Sequence, residues 1–342
     1  MIIQIDKNID LNKQVEIVDK LTNKGFKITP VKTQKGNYLI GTGKGKIDLR
    51  TIGNMEGILD IHKVSDDYKL VSKKWKVGAT AIDLGDGISI SGGGGFAMMA
   101  GPCSIETEEQ IIKTINHLKE NDIQIMRGGV YKPRSSPYAF RGLGIDGLKL
   151  WYDLAKEAGI KIITEVMQVS QIEEMYDYVD VYQVGARNTQ NFNLLDELGK
   201  VDKPVMIKRG ISGTIDELLY SAEYVFSAGN ENIILCERGI RTYERASRNT
   251  LDLNAIPILK EKTHLPVVAD PSHGIGIRQH VDTMALASIM AGADGVIYET
   301  HETPEKAYSD GQQTLDFSES EQLIKKMRKT VALRDELAVG KL

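Results

Sequence analysis

Apolar residues recur at two different spacings in the first 64 residues of this chain. Leu11, Val15, Val18 and Leu21 follow helical spacing and predict one helix. Four short apolar or alternating runs predict strands, at Met1–Ile5, Phe26–Thr33, Tyr38–Thr42 and Ile58–Val64. A weaker helical stretch before the last run completes the order β-α-β-β-α-β. This order is typical of a ferredoxin-like unit, so we expect a small α+β domain over residues 1–64.

Residues 65–95 differ from both flanking segments because they carry turn signals and little periodicity. Gly85-Asp86-Gly87 predicts the turn of a hairpin, and the glycine run Gly92–Gly95 predicts a hinge at the end of the segment. We therefore expect a connector that leads into a second domain.

From Phe96 onward, short apolar runs alternate with amphipathic helical stretches. The runs that predict strands are Phe96–Ala100, Ile123–Met126, Lys161–Thr164, Val181–Val184, Pro204–Ile207, Asn232–Leu235, Pro266–Ala269 and Gly295–Tyr298. Helices are predicted between them, at Glu108–Glu120, Leu148–Ala158, Ile215–Ala228 and Val281–Ala291 among others. Eight successive βα units predict a closed (β/α)₈ TIM barrel over residues 96–342.

Composition narrows the class of protein further. Hydrophobic residues make up 41% and charged residues 26%, as in soluble globular chains. The net charge of −4 argues against nucleic acid as a partner, and the absence of a long apolar run argues against a membrane span. The N-terminus becomes acidic before a signal-peptide core could form, so we expect a cytoplasmic protein with two free cysteines, Cys103 and Cys236.

Cations gather directly after the predicted strands, although the chain as a whole is acidic. They are Arg127, Lys132, Arg134, Arg187, Lys208, Arg209, Arg238 and Arg241. Acidic residues more often precede the strands. Because the active face of such barrels lies at the carboxyl ends of the strands, this rim is predicted to bind substrates with several negative charges. A single strand-end arginine would be as consistent with a structural ion pair.

Four potential metal ligands follow predicted strands one, seven and eight. They are Cys103, His273, Glu299 and Asp310. These strands are consecutive in a closed barrel, so the four side chains can meet and bind Mn²⁺, Fe²⁺, Co²⁺ or Zn²⁺. His301 and Asp270 are alternative ligands. Cys236 is predicted to be an apolar filler, and His264, on the opposite rim, to lie at the surface.

Seven segments of the barrel, in order, resemble the 3-deoxy-D-arabino-heptulosonate 7-phosphate synthases of type I, β subgroup, in the form with an N-terminal ferredoxin-like domain. They are Ala100-Gly-Pro-Cys-Ser104, Met126-Arg-Gly-Gly129, Tyr131-Lys-Pro-Arg-Ser-Ser-Pro137, Gln183-Val-Gly-Ala-Arg-Asn188, Ile207-Lys-Arg-Gly210, Leu235-Cys-Glu-Arg-Gly-Ile-Arg241 and Asp270-Pro-Ser-His273. These enzymes condense phosphoenolpyruvate with erythrose 4-phosphate, the first step of aromatic amino-acid synthesis. Ser135 departs from the threonine that is commoner in the family.

The resemblance implies specific roles. Cys103, His273, Glu299 and Asp310 would hold the divalent metal. Phosphoenolpyruvate would lie against the cations Arg127, Lys132, Arg187, Lys208 and Arg238, with Arg209 on the same rim and backbone contacts from Gly185 and Ala186. Erythrose 4-phosphate would face Lys132, Pro133, Arg134 and Ser135.

The proton-transfer steps lead to two further hypotheses. Lys132 lies close to both substrates and is the candidate donor to the developing alkoxide, while Glu165 is the candidate for the proton of the attacking water. The metal would polarise the aldehyde oxygen or orient that water. The resemblance also implies a homotetramer whose small domains bind tyrosine or phenylalanine as feedback inhibitors.

Three alternatives stay open from the sequence. The sister enzyme 3-deoxy-D-manno-octulosonate 8-phosphate synthase uses arabinose 5-phosphate, but carries Lys-Ala-Asn-Arg-Ser where this chain has Lys132-Pro133-Arg134-Ser135. An inactive barrel could serve as an anion sensor, although the complete set of ligands and cations argues against this. A Schiff-base aldolase would use Lys208, whose neighbours Arg187 and Arg209 suit a phosphate site better.

Overall fold

The computed structural model describes residues 1–45, 48–133, 136 and 138–339. The N-terminal elements are β1 (Ile2–Ile5), α1 (Leu11–Thr22), β2 (Lys27–Lys32), β3 (Asn37–Thr42), α2 (Leu49–Gly53) and β4 (Ile58–His62). The strands form an antiparallel sheet with the order β2-β3-β1-β4. This element order is the one predicted, and the weakly predicted second helix has five residues.

Both faces of this sheet contribute buried apolar side chains, most of them from β1 and β3. One face packs against α1, whose Ile17 and Leu21 meet Ile3 and Leu39 in a separate small core. The other face carries Ile2, Val31, Tyr38 and Ile40, which belong to the main core that surrounds the barrel. The first domain is therefore docked on the barrel by the hydrophobic effect.

Among the described residues, eight parallel strands close into a barrel. They are β7 (Ala97–Gly101), β8 (Ile125–Gly128), β9 (Lys161–Val166), β10 (Val181–Val184), β11 (Val205–Lys208), β12 (Ile233–Glu237), β13 (Val267–Ala269) and β14 (Gly295–Glu299). The helices of this region are α3 (Glu108–Glu120), α4 (Gly144–Glu157), α5 (Ser170–Met175), α6 (Phe192–Leu198), α7 (Ile215–Ala228), α8 (Ala255–Lys262), α9 (Pro271–Ile275), α10 (Val281–Met290) and α11 (Phe317–Glu336). The predicted TIM barrel is confirmed, with strand ends within about two residues of those predicted.

The connector contains the predicted hairpin, formed by β5 (Ala81–Asp83) and β6 (Ser89–Ser91). Ile82, Ile88 and Ile90 pack against the side chains that fill the barrel interior, including Cys236. The hairpin turn also meets the start of β9, where Lys161 Nζ lies 2.8 Å from Asp86 Oδ2. The hairpin therefore closes the end of the barrel at which the strands begin, and Cys236 is a filler as predicted.

The first domain contacts this same end of the barrel through polar groups. Thr33 and Tyr38 both donate hydrogen bonds to the buried carboxylate of Glu231, just before β12. Lys35 Nζ donates to Asn232 Oδ1 at 2.9 Å. The small domain is thus attached on the side opposite the predicted active rim.

The prediction that His264 lies at the surface is wrong, since its side chain is 2% exposed. The connector folds over it: Nδ1 lies 2.7 Å from Thr80 Oγ1, and Nε2 lies 2.9 Å from the carbonyl oxygen of Leu70. Trp75 packs edge-on against the ring. Burial lowers the pKa of His264 to about 3, so the imidazole is neutral at physiological pH.

Candidate active site

Three of the predicted metal ligands meet at the carboxyl end of the barrel. Cys103 follows β7, Glu299 ends β14, and Asp310 lies in the loop between β14 and α11. Their ligand atoms all lie within 4.8 Å of one another. The Cys103 Sγ atom is 3.2 Å from Asp310 Oδ2, while Arg127 NH1 donates to Glu299 Oε1 at 3.1 Å.

His273, the fourth predicted ligand, lies beside this cluster on the short helix α9. Its Nε2 is 3.5 Å from Glu299 Oε1. Its Nδ1 is 2.7 Å from Asp270 Oδ2, and the same carboxylate oxygen accepts from Lys208 Nζ. Asp270 therefore fixes the orientation of the imidazole from behind, as carboxylates do for metal-binding histidines. His301 is turned towards Glu106 instead, with 3.7 Å between Nε2 and Oε2.

The loop that carries Asp310 is held at several points. Asp310 itself has a positive φ of 53°, Ser309 Oγ lies 3.1 Å from Cys103 Sγ, and the backbone N–H of Tyr308 donates to Glu106 at 2.8 Å. The loop ends at Asp316, which caps α11 reciprocally with Glu319. Asp310 is thus presented by an anchored loop.

The charges within the cluster depend on one another. Burial, with the Glu299 carboxylate beside it, raises the pKa of the Cys103 thiol to about 12. Burial also opposes the ionisation of Asp310, but His273 and Arg248 outweigh it and hold the pKa of this carboxyl below its usual range. A thiol with a raised pKa ionises at neutral pH only if a cation binds beside it.

Lys132 contacts the ligand cluster and also lines the cavity beside it. Its Nζ donates to the carbonyl oxygen of Cys103 at 2.8 Å and lies 3.0 Å from Sγ. Gly129 leaves room for this side chain, because a Cβ there would lie 3.0 Å from Lys132 Cδ. An ammonium group so placed can stabilise a thiolate and can also reach a substrate.

A cavity of about 190 Å³ opens beside the cluster. Its walls contain mostly polar and charged side chains: Lys132, Pro133, Glu165, Ala186, Arg187, Ile211, Arg238, Arg241, Arg248, Asn249, His273 and Asp310. Arg127, near the end of β8, and Lys208, at the end of β11, are also buried. The structure therefore brings most of the predicted site residues to one place.

The rim cations differ in whether a carboxylate already neutralises them. Lys208 pairs with Asp270, and Arg209 bonds to both Glu237 and Asp252, at 2.9 and 2.8 Å. Within the part of the chain that the structure describes, no ion pair is formed by Arg187, Arg238 or Arg241. Burial, reinforced by the proximity of Arg248, even lowers the pKa of Arg238. The cavity thus has uncompensated positive charge that an anionic ligand would neutralise.

Glu165 lies against the strand end that carries Gly185. A Cβ at Gly185 would come within 2.0 Å of Glu165 Oε1, so only glycine leaves the carboxylate in its present position. Glu165 and Lys132 both line the cavity. A carboxylate and an ammonium group that line one cavity can act as base and acid towards a bound ligand.

Two predicted residues, Arg134 and Ser135, lie outside the described residues. The sequence analysis missed Arg248, Asn249 and Ile211, which line the cavity from the loops after β11 and β12. The rule that βα loops build the site of a barrel would have singled out these loops, but not the residues within them.

The fold and the cavity define a barrel enzyme for small anionic substrates, with a cluster of potential metal ligands beside the substrate space. Residues 74–336 match the DAHP synthetase I family. The chain belongs to this family.

A curated sequence and a solved structure, both of a phospho-2-dehydro-3-deoxyheptonate aldolase from Thermotoga maritima, are similar over most of the chain. The curated sequence is 46% identical over 286 residues, which cover 84% of this chain and 83% of the relative. The crystal structure of that aldolase, a DAHP synthase, superposes with a TM-score of 0.78 at 40% identity, covering 99% of this chain and 98% of the other.

A relative with a different name is less similar. The 2-dehydro-3-deoxyphosphooctonate aldolase of Francisella tularensis subsp. holarctica is 33% identical over 242 residues, covering 65% of this chain and 86% of the relative. Among the described residues, no helix combines the length and apolar character needed to cross a bilayer.

Proposed function

We propose that this protein condenses phosphoenolpyruvate with erythrose 4-phosphate and water to give 3-deoxy-D-arabino-heptulosonate 7-phosphate and inorganic phosphate. Membership of the family and the 46% identity to the Thermotoga enzyme support this reaction. The observation that carries it within the structure is the set of cations that form no ion pair with any described residue, Arg187, Arg238 and Arg241, around a cavity beside the ligand cluster.

The donor set suits a divalent transition metal. One thiolate, one imidazole and two carboxylates from Cys103, His273, Glu299 and Asp310 would hold it, a combination that favours Mn²⁺, Fe²⁺, Co²⁺ or Zn²⁺ over Mg²⁺ or Ca²⁺. When bound, the metal supplies Lewis acidity towards an oxygen of the substrate.

Phosphoenolpyruvate would occupy the inner part of the cavity. Its planar carboxylate and its tetrahedral phosphate are anions that guanidinium groups bind in pairs of hydrogen bonds, and Arg187 and Arg238 provide these groups. Arg127 and Lys208, whose charges are shared with Glu299 and Asp270, lie at the base. Arg209 is better explained as a support for the loop after β11, because Glu237, Asp252 and the carbonyl of Gly213 occupy its guanidinium.

Erythrose 4-phosphate would enter next, above phosphoenolpyruvate, along the segment Lys132–Ser135. C3 of phosphoenolpyruvate then bonds to the aldehyde carbon, and Lys132 donates a proton to the oxygen that becomes negative. Water adds to C2, with its proton passing to Glu165. The bond between C2 and the bridging phosphate oxygen then breaks while the new C2 hydroxyl passes its proton to the departing phosphate, which leaves a ketone at C2 and releases inorganic phosphate.

The N-terminal domain, residues 1–64, is proposed to be regulatory and the barrel, residues 96–342, catalytic, with residues 65–95 as the connector. Tyrosine or phenylalanine would bind to the small domains of a homotetramer. The placement of this domain on the rim opposite the cavity supports a role other than direct participation in catalysis.

The test of the reaction is phosphoenolpyruvate consumption by metal-stripped full-length protein, before and after addition of Mn²⁺. Turnover with erythrose 4-phosphate, and only after metal is added, is the expected result. Turnover with arabinose 5-phosphate in its place would move the protein to the sister enzyme. Full activity without metal would overturn the ligand assignment while leaving the reaction intact.

The effector is tested separately, on the same preparation. Tyrosine or phenylalanine is expected to lower the rate at fixed substrate concentrations and to give a saturable heat of binding. Neither effect with either amino acid, up to millimolar concentration, would refute the regulatory proposal.

A further inference from the structure

Gln313 is a buried glutamine within the proposed metal site, three residues after Asp310. Its side chain is among the most enclosed of the polar groups, with a residue exposure of 1%. Its Nε2 donates to Glu299 Oε2 at 2.8 Å, and its Oε1 accepts from Arg248 NH1 at 2.9 Å. A primary amide can donate to a carboxylate through its nitrogen and accept from a guanidinium through its oxygen at the same time.

Both oxygens of the Glu299 carboxylate are thereby held. Oε1 faces Arg127 at 3.1 Å and His273 at 3.5 Å, while Oε2 is bound by Gln313. Rotation of the carboxylate about its terminal bond would break contacts on both sides. The orientation of this group is thus fixed before any metal arrives.

Arg248 extends the connection to a second proposed ligand. The same NH1 that binds Gln313 also lies 3.1 Å from Asp310 Oδ1. The backbone of Arg248 is itself fixed beside α9, because its N–H donates to the carbonyl of Ile275 at 3.1 Å. One guanidinium group therefore holds Asp310 directly and Glu299 through Gln313.

We propose that Gln313 and Arg248 are positioning residues for metal binding: Gln313, itself held by Arg248, orients the Glu299 carboxylate, and Arg248 orients that of Asp310. This inference rests on the metal site of the proposed function. Loss of an outer hydrogen-bond partner typically weakens metal binding by about 10- to 100-fold. Replacement of Gln313 is expected to weaken it by that amount in the absence of any substrate.

The experiment measures free Mn²⁺ by electron paramagnetic resonance during titration of metal-stripped full-length protein, without substrates. Gln313→Met keeps the length of the side chain but removes its donor and acceptor. Gln312→Met is the matched control, because Gln312 is adjacent and exposed. The dissociation constant is expected to rise about 10- to 100-fold in the first variant and to stay close to that of the wild type in the second.

A dissociation constant for Gln313→Met that matches the control, in a protein with the near-ultraviolet circular dichroism of the wild type, would overturn the inference. If this buried variant does not fold, Arg248→Met decides instead, since the Arg248 side chain is 41% exposed. Arg245→Met, an exposed arginine in the same loop, is its control. Weaker Mn²⁺ binding only in Arg248→Met supports the inference, and equal binding in both variants overturns it.

Failure of the inference can be told apart from failure of the proposed function. Wild-type protein that binds Mn²⁺ but does not consume phosphoenolpyruvate with erythrose 4-phosphate contradicts the function and leaves the positioning role testable by the titration. Wild-type protein that is active yet binds no Mn²⁺ or other divalent ion contradicts the positioning role and leaves the function standing.

Discussion

The substitution Gly185→Ala should displace one carboxylate of the active site without disturbing the fold. The added Cβ would lie 2.0 Å from Glu165 Oε1, whereas ordinary contacts begin at 3.4 Å, so the oxygen has to withdraw by about 1.4 Å. The carboxylate is the end of a flexible side chain and can move. Gly185 also lacks a positive φ, so alanine fits its backbone.

A displacement of about 1 Å in a catalytic group can cost about 100-fold in rate. We therefore expect kcat of Gly185→Ala to fall about 100-fold, with little change in the melting temperature. The assay follows phosphoenolpyruvate absorbance with both substrates saturating and metal present. Gly210→Ala is the control in the loop after the neighbouring strand β11, where the new Cβ would meet its nearest atom at 3.7 Å.

A double-mutant cycle assigns the loss to Glu165. If Gly185→Ala acts by moving this carboxylate, Glu165→Gln should be impaired to a similar extent and the double variant should be no worse than Glu165→Gln alone. Losses that multiply would show that Gly185 acts through its own contact with substrate. A kcat for Gly185→Ala within threefold of the wild type would refute the reasoning altogether.

Three further predictions follow from the site and the core. Cys103→Ser should weaken Mn²⁺ binding at least about 10-fold, because a hydroxyl is a poorer ligand than a thiolate. Titration of the metal-stripped protein measures this, and unchanged binding would remove Cys103 from the ligand set. Arg238→Met should raise KM for phosphoenolpyruvate by about 10- to 100-fold, since a charged hydrogen bond contributes about 1.5–3 kcal/mol; initial rates check it, with KM for erythrose 4-phosphate as the internal control. His264 has a folded-state pKa of about 3, below the ordinary value of about 6.5. The contribution of the buried neutral imidazole to the free energy of unfolding is therefore complete above the ordinary pKa. It is lost progressively as the pH falls from there towards 3, because the unfolded state takes up a proton first. Between pH 7 and pH 5 this amounts to about 2 kcal/mol, so urea unfolding at the two pH values should show a larger loss in the wild type than in His264→Gln, and equal losses would contradict the buried neutral imidazole.

The strands of the barrel could be predicted because parallel strands buried on both sides are short continuous apolar runs. Their order in the chain then determined which strand ends are neighbours, and so brought Cys103, Glu299 and Asp310 together before any coordinates were considered. Strand and helix ends were less accurate, as for α4, which begins at Gly144 and not at the predicted Leu148. The glycine at this position has a positive φ, which periodicity does not reveal.

The sequence could not distinguish free cations from neutralised ones. Arg209 and Arg238 both follow strands, but the partners of Arg209 are Glu237 and Asp252, which lie on a different strand and in a loop. His264 was misplaced for a similar reason, since the residues that cover it come from a connector nearly 200 positions away in the chain. Arg248 and Gln313 lie in long loops, whose course depends on contacts and not on spacing.

The hairpin β5–β6 determines from which end of the barrel small molecules can reach the cavity. Because it covers the end of the barrel where the strands begin, it blocks access to the cavity through the barrel interior. In the proposed reaction, both substrates, the water and both products would pass through the opening at the other end. In the proposed arrangement, the residues at the base of the cavity contact phosphoenolpyruvate, and those nearer its opening contact the aldehyde. In the proposed reaction, phosphoenolpyruvate would then bind first, and the aldehyde would cover it until the new carbon–carbon bond has formed.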